Sequence, residues 1–257
     1  MAKIVTFSFV GENIKKLKEE NKIAYSKLKS CAKIACNFWN GHITPNKNVV
    51  LRIGVFYESG PIARTFKPFE KDGTIYSKIE FNANSISFKT YVASVFIHEI
   101  THALGFGWEP LDKLYDKNTG IFYQEYVDKI PELKDMRIEL DHGPMTKYAH
   151  WDEELFKDEI MTGFISIRLN HVLPVTIKIM KLFGHELDVE PKEPIKLNDK
   201  TIDKLESIKF DRERDVSLID VLYEKETIVV EEHQTSFNSW EKLGLLLNDI
   251  LRSILKV

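Results

Sequence analysis

His98, Glu99 and His102, in the stretch "VFIHEITHALGFGW" (95–108), have the types and spacing to do chemistry on a metal ion. On a helix, residues four apart lie one turn apart on the same face, so both imidazoles can reach a single ion. Zinc suits such a pair, because it takes imidazole nitrogens at about 2.0–2.1 Å and a catalytic site keeps one position for water. Glu99, beside the first imidazole, is placed to serve as general base on that water. Gly105 permits the left-handed turn that ends a helix. In the short form of this site, HExxHxxGxxH, a histidine follows three residues after the glycine. Here that position is Trp108, which cannot ligate zinc, so the third ligand has to come from downstream.

Two downstream residues qualify: His142, in "LDHGPM", and His150, in "YAHWDEELFKDEIMTG". Met161 follows His150 by eleven residues, the form of a ligand followed by a methionine turn beneath the metal. That pairing favours His150, with His142 as the alternative. Trp151, Asp152, Glu153 and Glu154 suit helix support and orientation of the ligand better than chemistry. His42, His171, His185 and His233 have no partner spacing and read as structural or exposed residues.

The elements that must position these groups follow from periodicity. "KIVTFSF" alternates Val5, Phe7 and Phe9 on one side and predicts a first strand. Residues 12–39 carry Ala24, Leu28, Cys31, Ala35 and Phe38 at the spacing of one long amphipathic helix. "NVVLRIGVFY" (48–57) predicts a buried strand, and residues 58–73, with Gly60, Pro61, Pro68 and Gly73, a loop. "TIYSKIEFN" (74–82) alternates Ile75, Ile79 and Phe81 against a polar face and predicts an edge strand. A helix capped by Thr90 then carries the histidine pair. This order predicts an α/β or α+β domain with a mostly parallel sheet. A proline-bearing break at "DVEPKEPIKLN" (188–198) divides a domain at 1–190 from a small α/β extension at 191–257. The extension is expected to hold a short polar helix, a hairpin and a terminal helix. That last helix carries Trp240, Leu243, Leu247, Ile250, Leu251 and Ile254 on one face, a candidate docking surface for a protein partner.

"HEITHALGFG", a long insertion, "HWDEELFKDEIMTG" and "LPVTIKIMKLFG" together resemble the leishmanolysin family of metzincin zinc endopeptidases. The resemblance covers roughly residues 1–190 and is strongest over 95–184. It implies a metzincin-like α+β fold with a twisted, mostly parallel sheet, an antiparallel edge strand and a long active-site helix, one zinc ion on His98, His102 and His150, Glu99 as base and Met161 in the methionine turn. Members are typically exported, disulfide-rich and preceded by a propeptide whose cysteine blocks the zinc. This chain shows none of these three features, so secretion and zymogen control are not carried over.

The remaining signals bound the function. With 257 residues, a formal net charge of −3, 43% hydrophobic and 29% charged residues, the chain has the composition of an ordinary globular protein. Its scattered Lys and Arg residues argue against a nucleic-acid partner. No apolar run approaches the roughly 20 residues of a membrane span. The N-terminus lacks the long apolar core of a signal peptide. Cys31 and Cys36, five apart on one helix, point in different directions and read as buried thiols. Both observations favour the cytoplasm or another reducing compartment, including the interior of a larger particle. The expected activity is peptide hydrolysis, with a protein or peptide substrate extended along the strand at 74–82. The alternative is a metalloprotease fold kept as a structural or docking component of a larger assembly, such as a viral or phage particle.

Overall fold

The strands expected near 5–9, 48–57 and 74–82 all form; in the first, Val5 and Ser8 are buried while Phe7 and Phe9 are half-buried, so the expected Val5–Phe7–Phe9 side is not uniformly buried. A computed structural model describes residues 3–143, 146–166 and 170–208. Strand β1 (Val5–Phe9) pairs parallel with β3 (Asn48–Phe56), and β3 pairs parallel with β6 (Thr74–Asn82). In β3, Val49, Leu51 and Ile53 are fully buried while Val50 and Arg52 are half-buried, the pattern of a sheet covered on one face. Between β1 and β3 run α1 (Glu12–Glu20), α2 (Lys22–Asn40) and the short β2 (Ile43–Thr44). The single long helix expected over 12–39 is thus broken at Asn21. Its side chain accepts from the Ala24 amide to cap α2, while its own N–H closes α1 on the Leu17 carbonyl.

The strand at 74–82 is correct in extent but is not an edge. β4 (Ala63–Thr65) and β5 (Phe69–Lys71), both within the segment expected to be loop, pair antiparallel with β6 and cover it. Its polar alternation arises because Arg64 of β4 and Lys78 bind Glu80 on that face. β5 turns into β6 through Asp72 and Gly73, both at positive φ (51° and 73°), the conformation a two-residue hairpin demands. The antiparallel edge of this mostly parallel sheet is therefore β4 and β5.

α3 (Lys89–Ala103) carries the histidine pair and is buried along almost its whole length, packing against α2, β4 and β6. It starts at Lys89 with Phe88 as the capping position; Thr90 lies inside the helix and bonds Asp199. Beyond it, α4 (Glu109–Asp112), α5 (Gln124–Val127) and a 3₁₀ turn at Pro131–Asp135 accompany a continuation of the same core through Leu111, Tyr115, Phe122, Leu133 and Ile138. The chain closes through β7 (His171–Val172), α6 (Pro174–Lys178) and β8 (Glu186–Leu187). β9 (Ile195–Lys196) and α7 (Asp199–Ser207) follow.

Contacts cross the boundary expected at 190 within the described residues, which stop at 208. β9 pairs with β7, and α7 buries Ile202 and Leu205 against α2. The Asn37 amide donates to the Leu205 carbonyl at 2.7 Å. The short polar helix expected after 198 is α7; the hairpin and terminal helix expected beyond it lie outside the described residues. Cys31 and Cys36 are buried free thiols, and burial pushes the Cys31 thiol up to about 12. No helix among the described residues is long and apolar enough to cross a membrane.

Candidate metal centre

His98 and His102 project from one face of α3, four residues apart, and the segment after the insertion brings His150 to them. All three are buried, with 5%, 8% and 6% exposure. Nε2 of His98 lies 3.0 Å from Nε2 of His102 and 3.3 Å from Nε2 of His150. In each ring Nδ1 faces a backbone carbonyl: Ile160 for His98 at 2.7 Å, Phe106 for His102 at 2.9 Å, and Thr146 for His150 at 2.9 Å. A carbonyl only accepts, so each Nδ1 carries the proton and each Nε2 presents a bare lone pair. Three buried lone pairs therefore converge with no proton to share. A metal ion held by the three nitrogens satisfies all of them at once.

Electrostatics point the same way. Burial, followed by repulsion from the two neighbouring rings, holds His98 well below the ordinary imidazole range. His102 falls to about 3 through burial and the His150 ring, and His150 to about 4, chiefly through burial. The rings are neutral at pH 7, the form that ligates. His142 does not join them. It is exposed, and its Nδ1 bonds the Glu139 carboxylate at 2.8 Å, which raises it above the ordinary histidine value. His42, His171 and His185 also lie outside the trio. Buried His185 donates from Nε2 to the Leu104 carbonyl and accepts the Asn46 amide at Nδ1.

Glu99 sits on the flank of α3 facing β4. The Thr65 hydroxyl lies 2.5 Å from its Oε2 and 2.9 Å from its backbone carbonyl. Burial raises this carboxyl to about 7, against the lowering effect of the Thr65 hydrogen bond. The base candidate is thus tied to the sheet edge, a link hidden by the expectation of a loop at 58–73.

Local backbone chemistry fixes the approach of His150. Gly105 (φ 122°) ends α3 and packs on the Phe183 ring, where a Cβ would stand 3.3 Å away. Gly107 (φ 82°) lets the next turn press on Ala149; a Cβ there would meet the Ala149 Cβ at 2.9 Å. Trp108 is not a ligand. Tyr148, two residues before His150, takes a left-handed φ of 69°, and its N–H donates to the Glu139 carbonyl at 2.8 Å. The Glu139 N–H in turn donates to the His150 carbonyl at 2.9 Å.

Met161 lies fully buried in a turn whose carbonyl accepts the Trp151 N–H at 2.8 Å, directly after His150. Two further groups in this region escaped sequence reasoning: Glu159, two residues before Met161, and Thr176 of α6. Both are buried and hydrogen-bonded to one another. A carboxylate directly before the apolar pair Ile160–Met161 is the available signal for the first. Comparison with family models, with curated proteins and with solved structures finds no match to this chain.

Proposed function

We propose that the chain is a zinc-dependent endopeptidase of metzincin type, with His98, His102 and His150 as ligands, Glu99 as general base and Met161 as the methionine-turn residue. The observation that carries the proposal is the convergence of three buried Nε2 lone pairs; Glu99, also buried, directly follows His98 in sequence. Two nitrogens each about 2.0–2.1 Å from a tetrahedral ion stand roughly 3.3 Å apart. The separations of 3.0 and 3.3 Å fit that arrangement. The donor set also fits zinc: three neutral imidazoles and no carboxylate among the ligands are the ligand count of a catalytic zinc site with one position left for water.

Bound zinc would supply Lewis acidity toward a peptide carbonyl and a lowered pKa for water. The chain's own residues supply the rest. Glu99, desolvated and close to the ligands in sequence, takes a proton from the attacking water at its carboxylate and returns it to the departing amine. A carboxyl raised toward neutral pH by burial is matched to both steps. Thr65 holds Oε2, which keeps the carboxylate in one orientation between the two transfers. Because β4 ends the strand order among the described residues and carries Thr65, an extended substrate would add its main chain there rather than along β6.

The test is cleavage of a peptide library by the zinc-loaded protein, before and after chelation. One zinc per chain, cleavage lost on chelation and cleavage restored by zinc are expected. A fully zinc-loaded protein that cleaves no peptide would reject the enzymatic assignment and leave the metal a structural role.

A further inference from the structure

Glu159 is a buried carboxylate, 1% exposed, whose partners are neutral donors. One oxygen accepts the Leu173 amide at 3.1 Å and the Thr176 hydroxyl at 2.6 Å; the other accepts the Met161 amide. Thr176 in turn accepts the indole N–H of Trp151 at 2.9 Å. These bonds lead to groups that adjoin two of the three histidines, His98 and His150. Ile160, between Glu159 and Met161, supplies the carbonyl that holds Nδ1 of His98, and Trp151 directly follows His150. An uncharged core could pack the Met161 turn at lower desolvation cost, so a carboxylate kept here calls for a role that apolar packing cannot fill.

Building on the metal assignment above, we infer that Glu159 is a positioning residue of the metal centre, which sets the rings of His98 and His150 through Ile160 and through Thr176–Trp151. The network needs an acceptor on both carboxylate oxygens. Turning one oxygen into an amide sets a donor against either the Met161 N–H or the Leu173 and Thr176 donors. The misfit is then relieved by rotating the turn that carries the Ile160 carbonyl, or by releasing Trp151 and with it His150. Partners that orient ligating histidines typically change metal affinity about 10–100-fold when removed.

The experiment measures zinc affinity of the full chain by competition against a chromophoric chelator, and the visible absorption of the cobalt-substituted site. Glu159→Gln is expected to weaken zinc binding about 10–100-fold and to alter the cobalt spectrum. Thr176→Val should do the same more weakly, and Thr176→Ser should restore wild-type behaviour. If Glu159→Gln does not fold, the Thr176 pair decides. Variants that unfold more easily yet keep wild-type zinc affinity and cobalt spectrum would overturn the inference, since Glu159 would then only stabilise the fold. A wild-type protein that binds no zinc overturns both this inference and the metal assignment. A wild-type protein that binds zinc and cleaves nothing, with the Glu159 effect present, supports this inference while rejecting hydrolysis.

Discussion

Replacing Gly107 with alanine should damage the metal centre from outside it. Two costs arise, and they separate. Gly107 has a φ of 82°, where an L side chain costs roughly 1–2 kcal/mol. The added Cβ would also meet the Ala149 Cβ at 2.9 Å, its Cα at 3.1 Å and its carbonyl oxygen at 3.2 Å. Two of these three atoms are backbone, so relief requires the chain next to His150 to retreat by several tenths of an ångström. Overpacking of this kind adds roughly 1–3 kcal/mol, for a total near 2–5 kcal/mol. Gly73 provides the control. It has a φ of 73° in the β5–β6 turn, and a Cβ added there would meet nothing within 4 Å. Gly73→Ala should therefore lose only the conformational part. Urea unfolding of the metal-free proteins gives the two stabilities, and competition titration gives zinc affinity. Gly107→Ala should be the less stable and should bind zinc more weakly, while Gly73→Ala binds it as wild type does. Equal stability losses, or unchanged zinc affinity in Gly107→Ala, would refute the reasoning that the 105–108 turn sets the third ligand.

Other outcomes follow from the same geometry. His150→Ala should lose the metal and His142→Ala should keep it, as measured by zinc content after dialysis; the reverse result would exchange the two assignments. Thr65→Val, which removes the hydroxyl from Glu99, should keep zinc and lower peptide turnover about tenfold or more; unchanged turnover would show that Glu99 needs no tether. His142 should titrate above 6.5 by NMR, because the Glu139 hydrogen bond favours its charged form. A raised histidine contributes stability that is fully present below its unfolded value and is lost as pH rises through the folded one. Glu139→Gln should return the titration toward 6.5, and an unshifted curve in that variant would remove the pair from the account.

Much of this is legible in the chain. The i, i+4 histidines need only helical periodicity to share a face, and α3 supplies it. His150 is distinguishable from His142 because Met161 follows it at a fixed spacing, and the trio forms with His150. The edge of the sheet is misassigned from sequence because alternation at 74–82 reports a polar face, not an unpaired strand; β4 and β5 are three residues each, too short to show periodicity. The "DG" at 72–73 is the overlooked sign of a hairpin. The helix break at Asn21 hides in an unbroken apolar stripe, since capping competes with continuation at a single side chain. Contacts across the expected extension boundary are hidden for another reason. Prolines at 191 and 194 mark where a helix cannot run, and the chain still returns to pair β9 with β7. Glu139, Glu159 and Thr176 also act through partners 14 or more residues away, Glu153, Leu173, Thr176 and Trp151, which local pattern does not carry.

The central claim is that Glu99 performs proton transfer at a zinc site held by His98, His102 and His150. Its most direct test is one paired measurement: zinc content and peptide hydrolysis for wild type and Glu99→Gln. Glu99 is not among the ligands, so the variant should hold one zinc per chain as wild type does. Its hydrolysis rate should fall by about 10²–10⁴-fold. A zinc-loaded Glu99→Gln protein that cleaves peptides at the wild-type rate would contradict the account.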